Sequence, residues 1–156
     1  MATYLLKTLL KALYTREKVG SAILLITHDL GVVAEVCERV VVMYSGKVLE
    51  VAYVNELFNH PAHPYTQGLL QAIPRLDDTR DRLNIIPGSI PNPANLPEGC
   101  RFHPRCQYAD ERCRTEQPPL VSPKPSQWVS CWRVSGEKGV DSDVIAATAP
   151  KAPTKV

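Results

Sequence analysis

The sequence contains no apolar run that approaches the roughly 20 residues needed to cross a bilayer. Its formal net charge is only +2, and aromatic residues make up 6% of it. A nucleic-acid-binding surface needs a basic field with interleaved aromatic residues, so no nucleic-acid partner is expected. Lys7 and Lys11 break the apolar opening segment and no small-residue cleavage site follows, which argues against a signal peptide and for a cytoplasmic location.

Proline is absent before Pro61, and all 14 prolines lie from that residue onward. Since proline interrupts helices and strands, this predicts a regular first part and a loop-rich second part. Ser45-Gly46 marks a turn between two strands of the first part. Helices and strands are predicted to alternate in the first part, and this order is typical of the C-terminal half of an α/β sheet domain. The predicted helices are 4–18, 29–37 and 53–59, and the predicted strands are 22–27, 39–44 and 47–50.

The second part is predicted to be a small α+β unit with little core. Pro64 suits the first turn of a helix over 65–73. The stretch 91–125 is rich in proline, cysteine and arginine, so it is expected to bury little apolar surface and to need a cross-link such as a bound metal. A small, polar composition from about residue 136 predicts a disordered tail. We therefore divide the chain into residues 1–60, 61–134 and 135–156.

A histidine follows the first predicted strand. The apolar run 22–26 ends abruptly in Thr27-His28-Asp29, and Asp29 is a good N-cap for the helix after it. At the carboxyl end of a buried strand, His28 would face the crevice where open α/β sheets bind ligands. A neutral imidazole there can donate a hydrogen bond to a phosphate or orient an attacking water. The alternative is a histidine that merely satisfies a strand end.

Cysteines are concentrated in the second part. Cys100, Cys106, Cys113 and Cys131 follow the spacing C-x5-C-x6-C-x17-C. Four thiolates in a proline-rich segment could hold a metal or cluster that replaces a hydrophobic core. The spacing is not the paired C-x2-C of a zinc ribbon, so zinc is less favoured, and reduced cysteines without metal are a third possibility.

Three segments together resemble one family. They are the His28 segment, the hairpin sequence from Met43 to Glu50, and the string that begins His63-Pro64-Tyr65. In this combination they resemble the C-terminal part of the ATP-binding subunit of dipeptide and oligopeptide ABC transporters. The resemblance runs from about residue 4 to residue 134.

The resemblance implies a fold and a set of roles. Residues 1–60 would be the C-terminal part of an ABC ATPase, a P-loop NTPase domain, and 61–134 the family's extension. His28 would be the catalytic and nucleotide-binding histidine that contacts the γ-phosphate of ATP, with magnesium present. A partner ABC ATPase subunit and membrane permease subunits are implied, at the cytoplasmic face of the membrane. Some relatives carry a [4Fe-4S] cluster, here on Cys100, Cys106, Cys113 and Cys131.

The family's phosphate-binding elements are absent. No G-x-x-x-x-G-K-[ST] loop is present, because Gly46-Lys47 is followed by Val48 and Val41 occupies the first glycine position. There is no Leu-Ser-Gly-Gly-Gln signature and no apolar run ending in Asp-Glu. We therefore expect a fragment that is inactive alone. The alternative is a stand-alone metal-binding or interaction module that retains only the extension.

Overall fold

The computed structural model describes residue 14 and residues 18–73 and 85–135. The predicted helix at 4–18 lies almost wholly outside these described residues, as does the predicted tail after residue 135. We number the elements in chain order. They are α1 (Leu30–Val36), β1 (Arg39–Tyr44), β2 (Lys47–Tyr53), α2 (Val54–Asn59), α3 (Pro64–Gln71), a 3-10 turn (His103–Arg105), α4 (Glu111–Thr115), β3 (Val121–Lys124), β4 (Gln127–Val129) and α5 (Trp132–Ser135).

Strands β1 and β2 form the hairpin that the turn signal predicted. Ser45 and Gly46 both have positive φ, at 46° and 78°. That backbone matches a two-residue turn whose twist suits antiparallel strands. The register shifts between Val42 and Met43, and β2 continues to Tyr53, three residues beyond the predicted strand end.

One antiparallel sheet holds the described strands together, in the order β1-β2-β4-β3. Glu50 and Val51 of β2 pair with Val129 and Trp128 of β4. The sheet therefore takes strands from both sides of residue 60. The fold is mixed α/β, and the division into 1–60, 61–134 and 135–156 stays a prediction about the family's domains.

The predicted strand at 22–27 is wrong, because residues 21–27 carry no regular structure. Leu24 and Ile26 are 88% and 90% exposed. A buried parallel strand needs neighbours on both edges and cover on both faces, and the described residues supply neither. The segment has the apolar composition of a strand, but a strand forms only when the backbone groups of another strand pair with its own.

Helices α1 and α3 begin at or within one residue of the positions that the sequence predicted. The Asp29 carboxylate accepts hydrogen bonds from the N–H groups of Gly31 and Val32, at 2.9 and 3.1 Å, and so caps α1. Pro64 occupies the first turn of α3, where its missing N–H costs nothing. None of the helices in the described part of the chain has the length and apolarity of a membrane span.

The core contradicts the expectation that residues 91–125 bury little. Tyr44 and Leu49 from the hairpin pack with Cys100, Phe102 and Cys113 in one cluster of buried residues. The exposed fraction of Phe102 is 3%. The prolines and turns of this segment do not prevent burial, because the sheet and α3 offer it a surface to pack on.

Candidate functional site

A carboxyl group is buried between β2, β4 and the segment before α3. Glu50 on β2 is fully buried. One carboxylate oxygen, Oε1, accepts hydrogen bonds from the Ala62 N–H and the Gln127 side-chain amide, both at 2.9 Å. The other oxygen, Oε2, accepts from the His63 N–H at 2.9 Å. Burial raises the pKa of Glu50, while hydrogen bonds to it, including those from Ala62 and His63, lower it.

Two glutamines complete the attachment of the segment 60–63. The Gln127 amide also donates to the carbonyl of His60, at 3.0 Å. The Gln67 amide donates to the carbonyl of Pro61, also at 3.0 Å. The backbone before α3 is therefore held by three buried polar side chains, which come from β2, β4 and α3 itself.

The histidine of the His-Pro-Tyr segment is buried and neutral. His63 is 1% exposed, and burial lowers its pKa to about 3. Its Nδ1 accepts a hydrogen bond from the Tyr65 N–H at 3.0 Å, so the imidazole caps α3. The sequence marked this segment as distinctive but did not indicate that His63 is an N-cap.

A cluster of three aromatic rings, Tyr44, Tyr65 and Phe102, adjoins this histidine through Phe102. Tyr44 packs edge-on against Tyr65 and Phe102, with ring centroids 4.8 and 5.3 Å apart. The His63 ring lies 5.8 Å from that of Phe102. Edge-to-face contacts of this kind stabilise an aromatic pair by about 0.5–1.5 kcal/mol beyond the area that they bury. These contacts join the β1–β2 hairpin, α3 and the cysteine segment (residues 100–113) through Tyr44, Tyr65 and Phe102.

The four predicted cysteine ligands come together around one small cavity. Cys100, Cys106, Cys113 and Cys131 all line it, together with His63. The Cys100 N–H donates to the Cys113 carbonyl at 2.9 Å, which ties the first and third cysteines. None of the four is in a disulfide. Residues separated by 31 positions in sequence, from 100 to 131, thus share one site.

The thiols of this cavity hold their protons strongly. Burial raises the pKa of Cys113 to about 11 and that of Cys131 to about 12. The other three cysteines raise the Cys131 value further, because one thiolate repels another. Burial also raises the pKa of Cys100 and Cys106, and the nearby Arg133 lowers that of Cys106. Without a bound cation, these groups are thiols at neutral pH.

The four cysteine sulfurs of the cavity are the type of donor that soft metals prefer. They are not placed close enough together to bind one metal ion. Among the described residues, no group of three or more His, Cys, Asp or Glu side chains is placed to hold a metal ion. The structure therefore gives no support to a zinc ion or to a [4Fe-4S] cluster by spacing. Four thiols around one cavity fit the cluster in donor type, since cysteine thiolates are its usual ligands.

The predicted nucleotide-contacting residue lies elsewhere. His28 is exposed, at a bend two residues before α1. The neighbouring Asp29 N–H donates to the Thr27 hydroxyl at 3.0 Å, which fixes the turn that carries the histidine. The strand that was expected to place His28 in a sheet crevice is not formed, so its role stays a prediction.

Comparison with known proteins identifies the matching region. Residues 49–113 match the family model of the oligopeptide/dipeptide transporter C-terminal region. The matched region includes Glu50, His63 and three of the four clustered cysteines. Residues 49–113 are therefore similar to a transporter module, and more particularly to the C-terminal region of oligopeptide and dipeptide transporter proteins. The resemblance inferred from the sequence is confirmed.

Curated relatives agree with this assignment. The chain is 54% identical over 116 residues to the oligopeptide transport ATP-binding protein AppD of Bacillus subtilis, covering 74% of this chain and 35% of that protein. It is 47% identical over 123 residues to OppD of Haemophilus influenzae, another oligopeptide transport ATP-binding protein, covering 79% and 38%. The chain thus spans about a third of the length of these relatives.

Proposed function

We propose that this chain is the C-terminal part of the ATP-binding subunit of an ABC importer that drives dipeptide or oligopeptide uptake across the cytoplasmic membrane. The observation that carries the proposal is the match of residues 49–113 to the transporter C-terminal region, within a longer similarity to peptide-transport ATP-binding proteins. A stand-alone metal-binding or interaction module is not favoured, because the relatives named for their function are ATP-binding proteins.

In this proposal the chain supplies only some of the parts of an ATPase. His28 contacts the γ-phosphate of ATP, while the phosphate loop and magnesium ligands belong to the further length that the relatives possess. Residues from 61 onward form the extension that meets a partner ATP-binding subunit. The assembly lies on the cytoplasmic face of the membrane and acts on permease subunits.

The test of this proposal is a chimera that retains His28. Residues 18–135 of this chain replace the corresponding segment of the Bacillus subtilis relative, and ATP turnover is measured in the reconstituted transporter. We expect turnover, and we expect His28→Ala to reduce it by about 100-fold or more, the usual effect of losing a positioned proton-transfer group. His60→Ala is the matched control, since His60 is an exposed histidine paired with Glu56 at 3.5 Å. Equal ATP turnover in the His28→Ala and His60→Ala variants would refute the role of His28 in the nucleotide site.

We infer in addition that the four-cysteine cavity holds a [4Fe-4S] cluster. Two facts support this: the cavity is lined by Cys100, Cys106, Cys113 and Cys131, and these are free thiols. Bound iron would replace the thiol protons that burial retains. The proposal therefore rests on the type and number of the donors, since four cysteine thiolates are the usual ligands of such a cluster.

The cluster is tested by anaerobic reconstitution of the full chain with iron and sulfide. Iron and acid-labile sulfide in equal amount, near four of each per chain, with a brown absorption band, are expected. Cys131→Ser should lower both contents, whereas Cys37→Ser should not, because Cys37 does not line the cavity. Colourless protein after reconstitution would contradict the inference.

A further inference from the structure

The two ring nitrogens of His63 are in different states, and the structure determines which is which. Nδ1 accepts a hydrogen bond from the Tyr65 N–H at 3.0 Å. An accepting nitrogen carries no proton, so the ring is neutral and its one proton is on Nε2. His63 therefore has an N–H donor on the side of the ring away from the helix that it caps.

The position of that ring is tightly fixed. The backbone N–H of His63 is bound to Glu50 Oε2 at 2.9 Å, and the ring packs against Phe102. His63 also lines the four-cysteine cavity. Because backbone and Nδ1 are both committed, the imidazole cannot turn to exchange the roles of its two nitrogens without losing the cap of α3.

We propose that the Nε2–H of His63 donates a hydrogen bond to sulfur in the group that Cys100, Cys106, Cys113 and Cys131 hold. The inference rests on the proposed [4Fe-4S] cluster and assigns to His63 the role of a positioning and tuning residue. An N–H donor stabilises the more negative, reduced form of a sulfur-ligated centre and so raises its reduction potential. It also links the start of α3 to the cysteine site.

Two substitutions separate the functions of the two nitrogens. In His63→Asn the side-chain oxygen can accept the Tyr65 N–H, because asparagine is a good N-cap, but nothing reaches the place of Nε2. In His63→Gln the longer amide places an N–H near the position of Nε2, and the short-range acceptor is lost. The first variant keeps the cap and removes the donor, and the second does the reverse.

The experiment measures the midpoint potential of the reconstituted cluster and the melting temperature of the full chain in each variant. For His63→Asn we expect a more negative potential than that of the native chain, with little change in melting temperature. For His63→Gln we expect a lower melting temperature and a potential closer to the native value. A structural role alone would shift melting temperature in both variants and leave the two potentials equal.

The outcomes that overturn the inference differ from those that overturn the proposed cluster. If the native chain takes up no iron and sulfide, the cluster fails, and the role assigned to His63 fails with it. If the native chain and His63→Asn both assemble the cluster and their potentials coincide, the cluster stands and the donor role of His63 is refuted.

Discussion

Replacing Glu50 with glutamine should destabilise the chain although the two side chains have nearly the same shape. Oε1 of Glu50 accepts two N–H groups and Oε2 accepts a third, from His63. A glutamine has one oxygen and one NH2 group. With its oxygen in the place of Oε1, it keeps the Ala62 and Gln127 hydrogen bonds, but its NH2 faces the His63 N–H. In the reverse orientation, two donors lose their acceptor.

The magnitude follows from the better orientation. One buried donor without an acceptor costs about 1–3 kcal/mol. We therefore expect Glu50→Gln to lower the free energy of unfolding by about 1–3 kcal/mol, and Glu50→Ala, which leaves three donors unpaired, by roughly 3–9 kcal/mol. Urea unfolding followed by the fluorescence of Trp128 and Trp132 measures both.

A matched control is available on the surface. Glu56 pairs with Lys124 at 3.3 Å, and its side chain is 32% exposed. Surface ion pairs contribute about 0–1 kcal/mol, so Glu56→Gln should change stability by less than about 1 kcal/mol. If Glu50→Gln costs no more than Glu56→Gln, the buried carboxylate does not fix the His-Pro-Tyr segment and the reasoning is refuted.

Three further predictions concern pH, glycine conformation and nucleotide binding. Because burial raises the pKa of Glu50, the folded state holds the proton of this carboxyl group more tightly than the unfolded state does. The stability that this proton contributes is complete below the ordinary carboxyl pKa and is lost as the pH rises through the pKa of Glu50 in the folded state. Urea midpoints measured from pH 4 to 8 should therefore fall for the native chain, and Glu50→Gln should lack this fall. Gly99→Ala should lower the melting temperature more than Gly20→Ala, because both have positive φ (61° and 66°) but a Cβ at Gly99 would lie 2.5 Å from the Cys113 carbonyl oxygen, whereas nothing lies within 4 Å at Gly20; equal shifts would contradict this. Calorimetric titration of the chain alone with ATP and magnesium should show no binding, since no phosphate loop is present in the sequence, and a tight, magnesium-dependent signal would disprove the expectation.

Local signals in the sequence were sufficient for several elements. Asp29 caps α1, Ser45-Gly46 turns the hairpin, and Pro64 opens α3, each at or within a residue of the predicted place. These features depend on the conformational preferences of one or two residues, which act over short distances.

Features that depend on distant partners were not predictable in the same way. The apolar run 22–27 has the composition of a strand, but pairing depends on strands elsewhere. Glu50 was assigned to a strand end, although it interrupts an otherwise apolar run from Val48 to Ala52. A charged residue in such a run was the available signal of a buried polar site. Its partners at 62, 63 and 127 could not be inferred from spacing.

The candidate site was predicted in part. Sequence spacing selected Cys100, Cys106, Cys113 and Cys131, and the structure brings all four to one cavity. The spacing gave no indication that His63 joins them, because 37 residues separate it from Cys100. The contact arises from α3 packing beside the cysteine segment, through Tyr65 and Phe102.

Peptide uptake is the measurement that tests the central claim most directly. A bacterial strain that lacks its own oligopeptide ATP-binding subunit is supplied with the chimera carrying residues 18–135 of this chain, and the entry of a labelled peptide is followed over time. The account predicts uptake with the chimera and none with its His28→Ala variant at equal protein level. A stable, membrane-associated chimera that imports no peptide would contradict the assignment of this chain to a peptide importer.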